Sequence, residues 1–306
     1  MKLVHFKTST GVRFGVKTEG GTEVPQDIGR SQTIVDVQSA LMDIHREGVP
    51  ASLEELFSGG TAAMDRLQKY IASLAQYTPG AGWLLPEKGI VYAPCVPAPE
   101  KILCIGLNYR RHAAESGMAT STTPLLFSKF NNALAAHNES VPLDPNAEQY
   151  DYEAELVVVI GKRARFVSEA DALDHVFGYC NGNDLSARDL QFRTSQWLLG
   201  KTPDKFMPVG PYLVTADEIK DVQALGVRCW VNGNPRQNSN TSDMVFTVTQ
   251  LVSYISQYMT LSPGDLISTG TPEGVVFGMK EKVWLKAGDV VEIEIDGLGR
   301  LVNPMA

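Results

Sequence analysis

The sequence predicts a β-rich α+β fold, and three observations lead there. From Lys101 onward, apolar runs of about five to eight residues rich in Val and Ile alternate with short helical stretches. Asn232-Gly233 and Asp296-Gly297 each follow such a run and supply the positive-φ residues that tight hairpins need. Extended helical spacing is concentrated earlier in the chain, between Val35 and Leu74.

Taken in order, residues 1 to about 30 alternate apolar runs with Gly-rich turns, at Lys2 to Phe6, Val12 to Lys17 and Glu23 to Ile28, the pattern of a small meander. Val35, Ala40, Leu41 and Ile44, then Ala63, Leu67, Ile71 and Leu74, recur at three and four residues and predict two or three amphipathic helices. Pro86, Pro94, Pro97 and Pro99 exclude helix and suit an extended connection, so a smaller N-terminal α+β domain with its linker is expected over 1–97 and a larger domain over 98–306. Ile102 to Gly106 reads as a strand leading into a helical turn. Tyr152 to Gly161 reads as another strand, closed by its glycine. Ser168-x-x-Asp171 predicts a capped helix reaching about Phe177, and Phe246 to Tyr258 has helical periodicity. The strand Leu266 to Thr269 is broken by Gly270.

Bulk properties narrow the function. The chain has 306 residues and a formal charge of −8, with no basic cluster longer than Arg110-Arg111, so a nucleic-acid footprint is absent and a small-molecule partner is expected. The four cysteines show no Cys-x-x-Cys spacing, which argues against structural zinc and for buried thiols. No secretory signal is visible, and no apolar stretch approaches the ~18 residues of a spanning helix; a cytoplasmic location without membrane contact is expected. Walker, Gly-x-Gly-x-x-Gly, Gly-x-Ser-x-Gly and His-Glu-x-x-His motifs are missing.

The chemistry concentrates at Glu153 and Glu155, two carboxylates on one face of an apolar strand. Burying like charges together costs several kcal/mol unless a cation compensates, and a hard divalent ion would do so. The alternative is an edge strand with a solvated Glu face. Asp184, at a strand end before a probable helix, is a third candidate ligand or a plain helix N-cap. Arg188 and Lys201 nearby make sense beside a metal if an anionic substrate also binds. His112 and Glu115, at i and i+3, form a general-base dyad, an exposed ion pair or part of a zinc site. Gly270-Thr271-Pro272-Glu273-Gly274 is either an anion-binding loop or an ordinary turn.

These segments together resemble the fumarylacetoacetate hydrolase family over about Lys101 to Asn303. The matching residues are Lys101-Ile102-x-Cys104-x-Gly106-x-Asn108-Tyr109-x-x-His112-x-x-Glu115, Asp151-Tyr152-Glu153-x-Glu155-Leu156 and Asn183-Asp184-x-Ser186-Ala187-Arg188-Asp189-x-Gln191. Gly200-Lys201, Ser262-Pro263-Gly264-Asp265 and Thr269-Gly270-Thr271-Pro272 complete the pattern. The resemblance implies a catalytic domain of curled mixed β-sheets, usually a homodimer, with Mg²⁺ or Mn²⁺ held by Glu153, Glu155 and Asp184. It implies Lys201 as the oxyanion contact, Tyr109, Arg188, Gln191 and Thr271 as substrate contacts, and His112 with Glu115 as a water-activating dyad. The activity implied is metal-dependent hydrolysis of a carbon–carbon bond in an acylpyruvate-like 2,4-dioxo acid. A 2-oxo acid decarboxylase or isomerase, a ureidoglycolate lyase-like enzyme, and a catalytically silent ligand-binding member are the alternatives. The chain departs from the family at Lys201-Thr202-Pro203-Asp204-Lys205-Phe206 and at Gly274-Val275-Val276-Phe277-Gly278, where a bulkier, more apolar wall is expected to face the substrate.

Overall fold

The structure, a computed structural model, describes residues 1–18, 33–74, 81–117 and 121–306; the expected run at Glu23 to Ile28 lies outside them. The chain opens with the hairpin β1 (Lys2–Thr8) and β2 (Gly11–Thr18). β3 (Thr33–Asp36) adds to β2 and runs directly into α1 (Val37–Asp43), so Val35, expected in a helix, is a strand residue. The reason is local. Thr33-Ile34-Val35 is β-branched throughout, and Asp36 caps α1 by accepting from the Ser39 amide at 3.1 Å. α2 (Leu53–Leu74) buries Leu56, Ala63, Leu67 and Tyr70 and is broken at Gly60, whose φ of 55° is non-helical. β4 (Leu84–Pro86) and β5 (Val91–Tyr92) occupy part of the proline-rich connection.

β6 (Ile102–Gly106), α3 (Arg110–Glu115), β7 (Leu125–Lys129), β8 (Leu134–Ala135) and β9 (Tyr150–Asp151) lead to β10 (Ala154–Ile160). The helix expected from Ser168 is only a 3₁₀ turn over Ala172–His175, because β11 (Val176–Asn183) begins at once and pairs with β10. Ser168 and Asp171 do bond, at 2.6 Å, but around that turn. Next come β12 (Ser186–Ala187), α4 (Arg188–Gln191), α5 (Leu198–Lys201) and β13 (Met207–Thr215). The hairpin β14 (Gly226–Val231) and β15 (Asn234–Asn240) turns on Asn232 and Gly233, with φ of 52° and 74°, as the sequence predicts. α6 (Val248–Tyr258), opened by a Thr247–Gln250 capping box, precedes β16 (Leu266–Ser268), β17 (Val290–Ile295) and β18 (Arg300–Pro304).

A 12-stranded mixed sheet runs β4-β3-β2-β1-β13-β11-β10-β16-β6-β7, with β5 beside β1 and β8 beside β13. A four-stranded sheet, β15-β14-β17-β18, and α6 pack on the face carrying Leu156, Val158 and Ile160; α1 and α2 cover the face carrying Val157 and Val159. β10 is therefore buried on both faces and paired on both edges, which removes the edge-strand alternative for Glu155, and Glu153 just before the strand is buried as well. β11 and β16 are antiparallel to β10, and β6 is parallel to β16, so the start of β10 and the ends of β11, β16 and β6 meet at one rim of the sheet. Among the described residues no helix is long and apolar enough to cross a membrane.

β1 pairs with β13, matching Lys2 with Val214 and Leu3 with Leu213, so the sheet runs through the segments on either side of the proline-rich connection. A buried polar knot reinforces the join. Glu87 Oε1 accepts from Tyr92 Oη at 2.7 Å and from Tyr212 Oη, and Lys17 Nζ lies 3.1 Å from Oε2. Burial opposes ionisation of Glu87, but the bonds from Tyr212, Tyr92 and Lys17 outweigh it and hold its carboxyl below the ordinary range. A depressed carboxyl contributes stability above the ordinary carboxylate pKa and loses it as pH falls through the folded-state value. Glu87→Gln is therefore expected to destabilise the protein by about 1–3 kcal/mol near neutral pH. Thermal melts of both proteins from neutral to acidic pH should show this gap closing in acid; a gap independent of pH would exclude the charged form as the source.

Candidate active site

The rim where β6, β10, β11 and β16 meet carries a cluster of buried charge. Glu153 precedes β10, Glu155 lies on it, and Asp184 follows β11, its amide donating to the Glu153 carbonyl at 3.0 Å. Asp184 is not an N-cap, since the nearest helix begins at Arg188 after Ala187. The three side chains are buried, and each offers an oxygen within 4.8 Å of the others.

Cations interleave with these carboxylates. Lys201 Nζ donates to Glu153 Oε2 at 2.7 Å and Asp184 Oδ2 at 2.8 Å. Arg188 donates to Glu153 Oε1 at 2.6 Å, to Asp151 Oδ2 at 2.8 and 2.9 Å, and to Gln191 Oε1 at 2.9 Å. Lys129 Nζ lies 2.7 Å from Asp184 Oδ1, a buried ion pair. The ammonium also donates to the carbonyls of Leu185 and Phe206, at 2.9 and 2.6 Å. Arg188 and Lys201, read from the sequence as cations awaiting an anionic substrate, are thus already paired with the protein's own carboxylates.

The carboxyls diverge electrostatically. Burial disfavours ionisation of Glu153, yet Arg188 and Lys201 outweigh it and hold this carboxyl far below the ordinary range. Glu155 has no such neighbour. Burial, then Asp184 and Glu153, push its carboxyl well up, although Ser268 Oγ at 2.5 Å and the Gly270 amide at 2.9 Å donate to Oε2. Burial pulls the Lys201 ammonium down, but Asp184 and Glu153 carry it above its usual value. The all-oxygen donor set, with a carboxyl that resists ionisation, fits a hard divalent ion.

The other expected residues divide. Thr271 lines the cavity, with its hydroxyl donating to the Ala154 carbonyl at 3.1 Å and accepting from Gln237 at 2.8 Å. Gln191 also lines it. Tyr109 is not among the lining residues: it is fully buried, pairs across a bridge with Met244, and its hydroxyl has no hydrogen-bond partner among the described residues. His112 lines the cavity with its buried Nδ1 unpartnered, 3.7 Å from Glu115 Oε2, beyond hydrogen-bond reach. Glu115 instead accepts from the Gly274 amide at 3.1 Å, so the glycine loop meets the protein's own glutamates, Glu155 at Gly270 and Glu115 at Gly274. The expected dyad is therefore two neighbours rather than a bonded pair.

Sequence reasoning missed Lys129, Asp151 and Gln237. Asp151, besides pairing with Arg188, accepts from the amides of Val276 and Phe277 at 2.8 and 2.9 Å, placing Phe277 on the cavity wall as the apolar Gly274–Gly278 segment predicts. Phe127, Phe192 and Trp197 also line the cavity, whose free volume is about 40 Å³.

Comparison with known proteins agrees with this architecture. The family model for the fumarylacetoacetate (FAA) hydrolase C-terminal domain matches residues 101–306. An oxaloacetate tautomerase, mitochondrial, of Xenopus laevis is 38% identical over 309 residues, covering 100% of this chain and 90% of its own. The fumarylacetoacetate hydrolase of Exiguobacterium antarcticum has a structure similar over 100% of this chain and 99% of its own, with a TM-score of 0.80 and 31% identity. Fumarylpyruvate hydrolase of Pseudomonas aeruginosa, solved with Mn²⁺ and pyruvate, is 33% identical over 68% of this chain and 90% of its own, with a TM-score of 0.63. Because the model covers the residues that build this rim and the Xenopus relative aligns along the entire chain, the protein belongs to the fumarylacetoacetate hydrolase family.

Proposed function

We propose that this protein is a divalent-metal-dependent enzyme that moves a proton on an enolisable 2-oxo acid, a tautomerase or isomerase of the oxaloacetate type. The observation that carries this reading is His112, buried at the cavity with Nδ1 unpartnered and Glu115 engaged elsewhere. A lone imidazole suffices to carry a proton. Activating water for attack on a carbonyl is helped by a carboxylate that orients the imidazole, and here Glu115 Oε2 stands 3.7 Å from Nδ1. The 38% identity to an oxaloacetate tautomerase supports the same choice.

An ion held by Glu153, Glu155 and Asp184 would supply Lewis-acid stabilisation of negative charge developing on the 2-oxo oxygen. The chain's own residues do the rest. Lys201, within the same cavity, offers an ammonium to the substrate head, and Thr271 and Gln191 offer neutral polar contacts. Arg188, tied to Asp151 and Glu153, holds Glu153 in place. In the tautomerisation a proton leaves the enol hydroxyl and a proton arrives at C3 while the C2–C3 double bond becomes C2–O; His112 is the group that holds and delivers it. The second reading is carbon–carbon hydrolysis, favoured by the shared α3 face of His112 and Glu115 and by the similarity to fumarylpyruvate hydrolase. It needs the 3.7 Å gap between His112 Nδ1 and Glu115 Oε2 to close to hydrogen-bond distance.

The readings separate on Glu115. With Mg²⁺ or Mn²⁺, the native protein is expected to accelerate decay of the oxaloacetate enol followed by its ultraviolet absorbance. His112→Ala should lose about 10²- to 10⁴-fold, the usual scale of general acid–base catalysis, and Glu115→Gln less than about 10-fold. Cleavage of acylpyruvates by the native protein with no effect on the enol, and equal losses in both variants, would give the site to the hydrolase reading.

Metal dependence is testable without turnover. Glu155→Gln removes a buried carboxyl that lacks a cation of its own and is expected to raise the melting temperature of the metal-free protein while abolishing its stabilisation by Mg²⁺. Glu153→Gln takes one carboxylate from Arg188, which keeps Asp151, and from Lys201, which keeps Asp184, and should destabilise by about 1–3 kcal/mol. Melts with and without Mg²⁺ check both, and retained Mg²⁺ stabilisation in Glu155→Gln would remove Glu155 from the ligand set.

A further inference from the structure

One residue of the aromatic wall stands where substrate length is decided. Trp197 precedes α5, and its carbonyl accepts from the amides of Gly200 and Lys201 at 3.0 and 3.2 Å, so the indole and the Lys201 ammonium ride on one turn. The ring meets Phe127 at a centroid distance of 5.3 Å and an angle of 67°, and Phe192 at 6.4 Å. Behind it β6 offers no side chain: a Cβ on Gly106 would lie 2.9 Å from Trp197 Cζ3 and 3.1 Å from Cη2. The indole already occupies the space that Gly106 leaves, so it cannot retreat into the sheet. Phe192 and Phe277, 5.1 Å apart, continue the wall.

Lys201 Nζ lies 5.0 Å from the Phe127 ring, so the polar end of the cavity and this wall are separated by little more than one side chain. The whole cavity has about 40 Å³ free. A 2-oxo acid head at the carboxylates leaves its carbon chain facing the rings, and each methylene that does not fit is worth about 10- to 200-fold in a tight pocket. We propose that Trp197 is a specificity-determining residue that restricts the site to short 2-oxo acids. The proposal rests on the 2-oxo acid reading above and goes beyond it in naming the length limit and the side chain that sets it.

Two probes test it on the Mn²⁺-loaded protein: oxamate, a non-reacting analogue of a short 2-oxo acid, and N-hexyloxamate, the same head with a six-carbon tail. Calorimetry is expected to show the native protein binding oxamate at least tenfold more tightly. Trp197→Ala should erase or reverse that preference and Trp197→Phe should fall between, which keeps the test readable if the alanine variant fails to fold. Relative kcat/KM for an eight-carbon 2-oxo acid over oxaloacetate should rise at least tenfold in the same order. Equal binding of the two probes by the native protein, or an unchanged preference in the folded variants, overturns the length gate while oxaloacetate turnover leaves the 2-oxo acid reading standing. Failure of the native protein both to bind oxamate and to act on any 2-oxo acid overturns the two together.

Discussion

Everything at the rim depends on how four buried carboxylates are balanced by three buried cations. Asp151, Glu153, Glu155 and Asp184 face Lys129, Arg188 and Lys201, so that ionising all seven would leave one negative charge in excess. In a low-dielectric interior an unpaired charge is expensive, and the expense falls on Glu155, the carboxyl with no ion pair. A divalent ion would reverse the sign of the excess, leaving one positive charge that suits an anionic substrate. The same seven side chains can therefore remain buried through loading and binding with the net charge never more than one from zero.

That balance is possible because the sheet brings four strand ends to one place. Antiparallel pairing of β10 with β11 and β16 sets Asp184 beside Glu153 and Gly270 beside Glu155, and the parallel β6 adds the chain that leads into His112. Backbone hydrogen bonds set these positions, so the carboxylates are held close before any ligand arrives. This is preorganisation in the sense that matters for catalysis, because reorganisation at the moment of reaction is avoided.

The sequence makes much of this legible, and where it does not the cause can be named. Glu153 and Glu155 stand out because two charges in an apolar, β-branched run contradict ordinary burial, and Asn232-Gly233 signals its hairpin by chemistry that few other turns share. Lys129 is different. A lysine ending a Leu-Leu-Phe-Ser strand normally turns to water, and its inward course is decided by Asp184, Leu185 and Phe206, which lie more than fifty residues away. Gln237 sits in a polar hairpin strand that gives no hint of its bonds to Thr271 and the Ala154 amide. Ser168 and Asp171 mislead because their mutual bond is real while the β-branched Val176 already belongs to a strand. The family resemblance carried roles for single residues, whereas which side chains line the cavity is decided by packing.

The pairing of β1 with β13 has a meaning apart from the site. Among the described residues β13 is bonded to β11 along most of its length, to β8 at its beginning and to β1 near its end. β1 then passes the open edge outward through β2 and β3 to β4, three residues long and closed by Pro86, which has no N–H to offer. The described strands of the first hundred residues thus act as a selvedge along one of the sheet's two borders, the other being β7, so that on this side the hydrogen-bonding edge ends in a short strand with little for another strand to knit onto.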